Sequence, residues 1–92
     1  MIEIIVEKNI SEHRRQQLNC DNWPIWSSPA ETFDWEYEQK ETCFILEGKV
    51  KVTTEQGQEV EFNKGDLVIF PQGLKCVWEV IEPVRKVYKF GE

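Results

Sequence analysis

Trp35, Tyr37, Glu41 and Cys43 fall within one short stretch, and Cys76 and Trp78 form a second group farther along the chain. Each type brings a chemistry. The Glu41 carboxylate can act as a general acid or base, or pair with an amine or guanidinium. Indole and phenol faces attract cations and stack on sugars or planar rings. Cys76 has the type of a nucleophile, but no basic residue stands beside it in sequence, so a buried inert thiol is expected. A carboxylate among rings loses hydration, which is costly unless a cation or hydrogen bond compensates. The bland alternative is that Trp35 and Tyr37 only fill volume, while Glu41 accepts hydrogen bonds from Tyr37 or the Trp78 indole and is inert.

These side chains converge only if strands present them inward. Side chains alternate faces along a strand. Trp35 and Tyr37 therefore share one face, Glu41, Cys43 and Ile45 share one face of the next strand, and Cys76, Trp78 and Val80 share a third. Most of the chain reads as strand. Ile4 and Val6 alternate with Glu3 and Ile5, with Ile2 on the same face as Ile4. Ser11 can cap a helix over residues 12–18, with Glu12 near its positive end. Trp23, Pro24, Ile25, Trp26, Ser27, Ser28 and Pro29 predict an ordered loop without regular structure, its rings plugging a barrel end or a subunit contact. Residues 43–46 form an apolar run that Glu47 and Gly48 break. Residues 49–54 alternate lysine out and valine in. Gly57 turns the chain, Val60 and Phe62 continue the alternation, and residues 63–66 turn again. Residues 67–70 are apolar on both faces. Pro71, Gln72 and Gly73 make a turn, Pro83 interrupts the next strand, and residues 84–90 form the last one. The expectation is a single small all-β domain over residues 1–92, an antiparallel barrel or sandwich with a short N-terminal helix.

Net charge is −6 with pI ≈ 4.8, so phosphate backbones and anionic lipid are poor partners. Hydrophobic residues at 40% and charged residues at 30% suit a folded soluble chain rather than a disordered one. Three cysteines cannot all pair and show no C-x-x-C spacing, which predicts reduced thiols and a cytoplasmic location, with a Cys43–Cys76 bridge as the alternative. No apolar stretch reaches membrane-span length, and the acidic start, with no basic residue in its first seven, is unlike a secretory signal. A domain of this size is marginally stable without tight packing or a partner chain.

The punctuation of the chain resembles the cupin superfamily, small jelly-roll barrels with motifs G-x5-H-x-H-x3,4-E-x6-G and G-x5-P-x-G-x2-H-x3-N. Glu41 and Gly48 carry the first motif's spacing; Gly65, Pro71 and Gly73 carry the second's. The three histidine positions hold Trp35, Tyr37 and Cys76, the final asparagine position holds Val80, and the leading glycine is Pro29. Within cupins, residues 35–42 (W-x-Y-x-x-x-E-T) with W-P-I-W upstream resemble a small single-domain branch grouped with (S)-ureidoglycine aminohydrolase-like cupins. That resemblance implies the fold and sheet-mediated dimers. It does not carry the aminohydrolase activity, since members with that activity use metal ligands this chain mostly lacks.

A cupin metal site uses three imidazoles and a carboxylate. Here only Glu41 remains of that set. Trp35 has no ligand atom, and the sole histidine, His13, lies in the helical segment. One carboxylate and one thiol do not close a coordination shell, so no metal and no cofactor are expected. The resulting expectation is a metal-free protein binding a small polar or cationic metabolite through Trp35, Tyr37, Glu41, Cys76 and Trp78. Two alternatives stand beside it. One is an enzyme using Glu41 as general acid or base on a small nitrogen-containing or sugar-like substrate. The other is a non-catalytic interaction module presenting the Trp23–Trp26 loop and the N-terminal strand.

Overall fold

The computed structural model describes residues 3–91. Among the described residues seven strands form one antiparallel system: β1 (Ile5–Glu7), β2 (Ile25–Ser28), β3 (Thr32–Glu36), β4 (Glu41–Thr54), β5 (Glu59–Asn63), β6 (Leu67–Phe70) and β7 (Lys75–Phe90). The order is β1-β6-β4-β7-β2, with β3 also on β7 and β5 also on β4. Together they make the jelly-roll barrel that the cupin resemblance implies.

Two long strands carry the architecture. β4 pairs with β6 through Glu41–Phe44 and with β5 through residues 49–53, while β7 runs along its whole length. β7 likewise takes β3 on residues 75–79 and β2 on residues 84–87. Each long strand thus serves both layers, and both bend at the same level. The sequence reading puts a break at Glu47-Gly48 and another at Pro83, giving four shorter strands. The structure corrects this: the two irregularities face each other. The β4–β7 register slips between Ile45 and Val50, and Gly48 has φ +98°. The Pro83 carbonyl and Val84 Cα fill the place a side chain at Gly48 would take. A bulge opposite a proline lets the pair turn a corner without ending either strand.

The helix α1 (Glu12–Leu18) matches its expected bounds, with Ser11 Oγ accepting from the Arg14 amide at 3.1 Å and Asn19 closing it at φ +57°. Only two turns long, it leans on a small cluster of Cys20, Phe44, Leu67 and Val87 through Ile10 and Leu18. The alternation at the start of the chain holds for Ile4, buried, and Ile5, exposed; Ile2 lies outside the described residues. Gln58 acts as a strand partner there, its amide accepting from Ile4 N–H and donating to Ile4 C=O.

Trp23–Pro29 is the second correction. A 3₁₀ turn (Cys20–Asn22) leads into β2, a true strand paired with Ser28↔Val84 through Ile25↔Val87. Pro24 and Pro29 flank it instead of disrupting it, since neither needs to donate to the ladder. Pro24 C=O accepts from Tyr88 N–H at 3.0 Å, extending the pairing by one bond.

The main core is aromatic. Trp78 stacks on Phe33 (centroids 5.9 Å, 17°) and meets Trp26 and Phe62 edge-on; Phe70 stacks on Tyr37 at 4.7 Å and 8°. Each buried large side chain contributes about 1.5–3 kcal/mol, with about 0.5–1.5 kcal/mol more for each well-placed ring pair.

Candidate functional site

Cross-strand rows bring the site together. Trp26 on β2 stands opposite Lys86 on β7, which faces Ile45 on β4. Phe33 stands opposite Trp78, and Trp35 opposite Cys76. Glu41 opens β4 between Phe70 on β6 and Phe90 on β7. Tyr37 follows β3 and is pinned to the 71–74 turn: its N–H donates to Leu74 C=O at 2.9 Å, and its C=O accepts from Gly73 N–H at 2.7 Å. The motif's turn chemistry therefore fixes the position of one wall.

These rows enclose a cavity of about 160 Å³. Trp35, Tyr37, Glu41 and Trp78 line it, as the strand parity predicts; Trp26, Phe33, Lys86, Tyr88 and Phe90 complete it. Its rim is formed by half-exposed rings, Trp35 at 46% and Phe90 at 51% accessibility. Deeper in, Glu41 and Tyr37 are buried. Cys76 is not part of the lining. It borders an outer groove with Trp35, Thr54 and Val77, opposite Trp35 in the β3–β7 register. The expected thiol contribution is therefore corrected: neither Cys76 nor Cys43 reaches the cavity wall. All three cysteines are buried free thiols.

The main feature that sequence reasoning missed is Lys86. Its ammonium lies 2.5 Å from Glu41 Oε2, and both side chains are almost fully buried, at 7% and 4% accessibility. The same nitrogen sits over three rings, 4.8 Å from the Trp78 centroid, 5.0 Å from Trp26 and 5.9 Å from Tyr88. Desolvated cation–π contacts of this kind contribute about 2 kcal/mol or more. The signal was present in the chain. Reading through Pro83 without a break, Lys86 has the parity of Cys76, Trp78, Val80 and Val84, all inward.

The hydrogen bonding also differs from the inert alternative. The Trp78 indole donates to Tyr37 Oη at 3.1 Å, not to Glu41. Burial, then the nearby Glu41 charge, drives the Tyr37 phenol far above its ordinary pKa, so it stays neutral. Burial pushes the Cys43 thiol up to about 12 and the Cys76 thiol up to about 11; the Glu41 charge raises both and Lys86 lowers both.

These residues do not fit a cupin metal. Trp35 has no lone pair to offer, neither thiol lines the cavity, and Glu41 is already paired with an ammonium. Among the described residues no group of three or more His, Cys, Asp or Glu side chains is arranged to share an ion. Nor does any described helix have the length and apolarity to cross a membrane.

Comparison with known proteins agrees with the fold and its motif. Residues 15–88 match the family model of the EutQ-like cupin domain. A DUF861 family protein from Thermotoga maritima is 49% identical over 96% of this chain and 99% of its own, with TM-score 0.92. A DUF861 protein from Pseudomonas syringae pv. tomato is 30% identical over 72% of this chain and 28% of its own, with TM-score 0.65. The Clostridium difficile EutQ protein, 24% identical with TM-score 0.67, shares the fold across 73% of this chain, which spans about half (52%) of that protein. No curated protein matches. A barrel with cupin turn spacing, matched by a family model over most of its length, places this chain in the EutQ-like cupin domain family.

Proposed function

We propose that the cavity binds a small polar metabolite, its carbonyl or carboxylate oxygen set against Lys86 and its apolar or planar part against the aromatic walls. The observation that carries this reading is the Glu41–Lys86 pair, buried yet facing an open hollow. Taking each charge out of water costs several kcal/mol, and apolar residues of equal volume often serve stability as well or better. A pair that merely filled space would not need a cavity beside it.

Lys86 also narrows the ligand. A cationic metabolite would have to displace a resident ammonium, so neutral or anionic acceptors are favoured over amines. Size narrows it further: a cavity of about 150 Å³ accommodates benzene, so ligands of roughly six to eight non-hydrogen atoms suit this one. The donor set gives no support to metal-dependent hydrolysis of the ureidoglycine aminohydrolase type. Homodimerisation and cytoplasmic residence belong to the same proposal. Sedimentation velocity tests the first, and a monomer mass removes it.

A panel of small carboxylates, amides, carbonyl compounds and amines, read by thermal shift and indole fluorescence, tests the ligand. At a hundredfold excess over Kd a true ligand adds about 2.7 kcal/mol, or roughly 10–20 °C in Tm. Trp35→Ala, at the exposed rim, should weaken the effect without unfolding the protein. Silence across the panel ends this reading.

A further inference from the structure

We propose that Lys86 forms an imine with a small aldehyde or ketone in the cavity, with Glu41 carrying the protons. The inference rests on the cavity being a ligand site.

Three observations lead to it. First, the buried cation is a lysine. An arginine would hold its charge permanently, whereas a lysine amine can lose its proton and attack a carbonyl. Second, among the described residues Glu41 is the one hydrogen-bond acceptor of Lys86; the ammonium otherwise faces the rings of Trp26, Trp78 and Tyr88. Ring faces offer no lone pair, so releasing a proton breaks no second hydrogen bond. Third, the acceptor of that proton is in contact at 2.5 Å, and the pair is neutral overall before and after transfer. Low-dielectric walls oppose charge separation, not a shift within a neutral pair.

The step balances. A proton moves from Nζ to Glu41 Oε2, and the freed lone pair attacks the carbonyl carbon. The C=O π electrons move to oxygen, which takes the proton from Glu41 and gives a carbinolamine. Glu41 then removes a proton from nitrogen and returns it to the hydroxyl, which leaves as water while the nitrogen lone pair forms C=N. Ammonium plus carbonyl becomes iminium plus water, and Glu41 ends as it began. The iminium keeps its positive charge where the ammonium stood, against the same carboxylate and rings, so the site is complementary to both ends of the reaction.

Wild-type protein incubated with propanal, 2-butanone or benzaldehyde and sodium cyanoborohydride, followed by peptide mass mapping, tests this. Reduction should fix the ligand on Lys86 at least about tenfold faster than on the exposed Lys8 or Lys49. Glu41→Gln should slow trapping at Lys86 by about a hundredfold and leave the exposed lysines unchanged. Lys86→Arg, which keeps the charge, should fold and give no adduct at the site. If Lys86 stays unlabelled while exposed lysines react, the imine is overturned. In that case reversible quenching of indole fluorescence by any ligand of the wider panel leaves the cavity as a non-covalent site, and silence across that whole panel removes both readings. Fast labelling that Glu41→Gln does not slow overturns the proton-carrying role. If Glu41→Gln does not fold, the wild-type ratio of Lys86 to Lys8 and Lys49 labelling decides the imine.

Discussion

The Pro83 carbonyl oxygen lies only 2.3 Å from the point where a β-carbon on Gly48 would stand. Gly57 has a similar φ, +96°, but open space around it. The two glycines thus separate backbone strain from steric exclusion. Gly57→Ala should cost about 1–2 kcal/mol, from the left-handed backbone alone. Gly48→Ala adds a clash with backbone that cannot rotate away and should cost about 3 kcal/mol or more. Urea titrations of both variants check this; equal losses would mean that the corner between β4 and β7 does not depend on the Gly48–Pro83 approach.

Glu41 and Lys86 should behave as one energetic unit. Glu41→Gln or Lys86→Met alone leaves a buried charge unpaired and should cost about 3–5 kcal/mol. The double variant removes both charges, so it should be destabilised by much less than the sum of the singles. Additive losses in the double-mutant cycle would show that the pair is not coupled in solution.

The thiols set an alkaline limit. Burial raises Cys43 to about 12 and Cys76 to about 11 in the folded chain, above the ordinary thiol value of 9.0. In that window the unfolded chain has released protons that the folded chain keeps. The stability they contribute is therefore full below about pH 9 and is lost as pH rises through about 11–12. Correspondingly, native protein at pH 8 should react with a thiol reagent far more slowly than denatured protein. Rapid stoichiometric labelling of Cys76 under native conditions would contradict its placement.

Asp66 sets the acid limit. Burial alone would raise its pKa, but the Lys8 ammonium and the Asn9 and Asn63 amides outweigh this and hold it below the ordinary value. A depressed carboxyl contributes stability that is present above the unfolded pKa, about 4, and is lost as pH falls through the lower folded value. Asp66→Asn should cost about 1–3 kcal/mol at neutral pH, because one amide loses its acceptor. It should also flatten the acid arm of the stability–pH curve. An unchanged acid arm would assign that dependence to other carboxylates.

Much of this molecule is legible in its sequence because local chemistry forced it. Ser11 and the residues after it specify one short helix. Gly48, Gly65 and Gly73 each stand where the backbone takes positive φ, and their spacing carries the cupin pattern. Period-two alternation aimed Trp35, Tyr37, Glu41 and Trp78 at one another, and they share a cavity. Strand parity is a local property, so it survives without coordinates.

What parity cannot supply is continuity across a distortion. Gly48 and Pro83 each look like a strand end when read alone, and only their opposition in space turns two apparent ends into one shared corner. Lys86 was hidden by that false end. Pairing also moved Trp26 from an apparent loop into β2, directly beside Lys86, while Cys76 came to rest opposite Trp35 and outside the cavity lining. The chain alone determined which side chains share a face within each unbroken strand. The tertiary structure decided which inward residues meet, because an ion pair between residues 41 and 86 depends on how two distant strands bend together, and no local pattern encodes that distance.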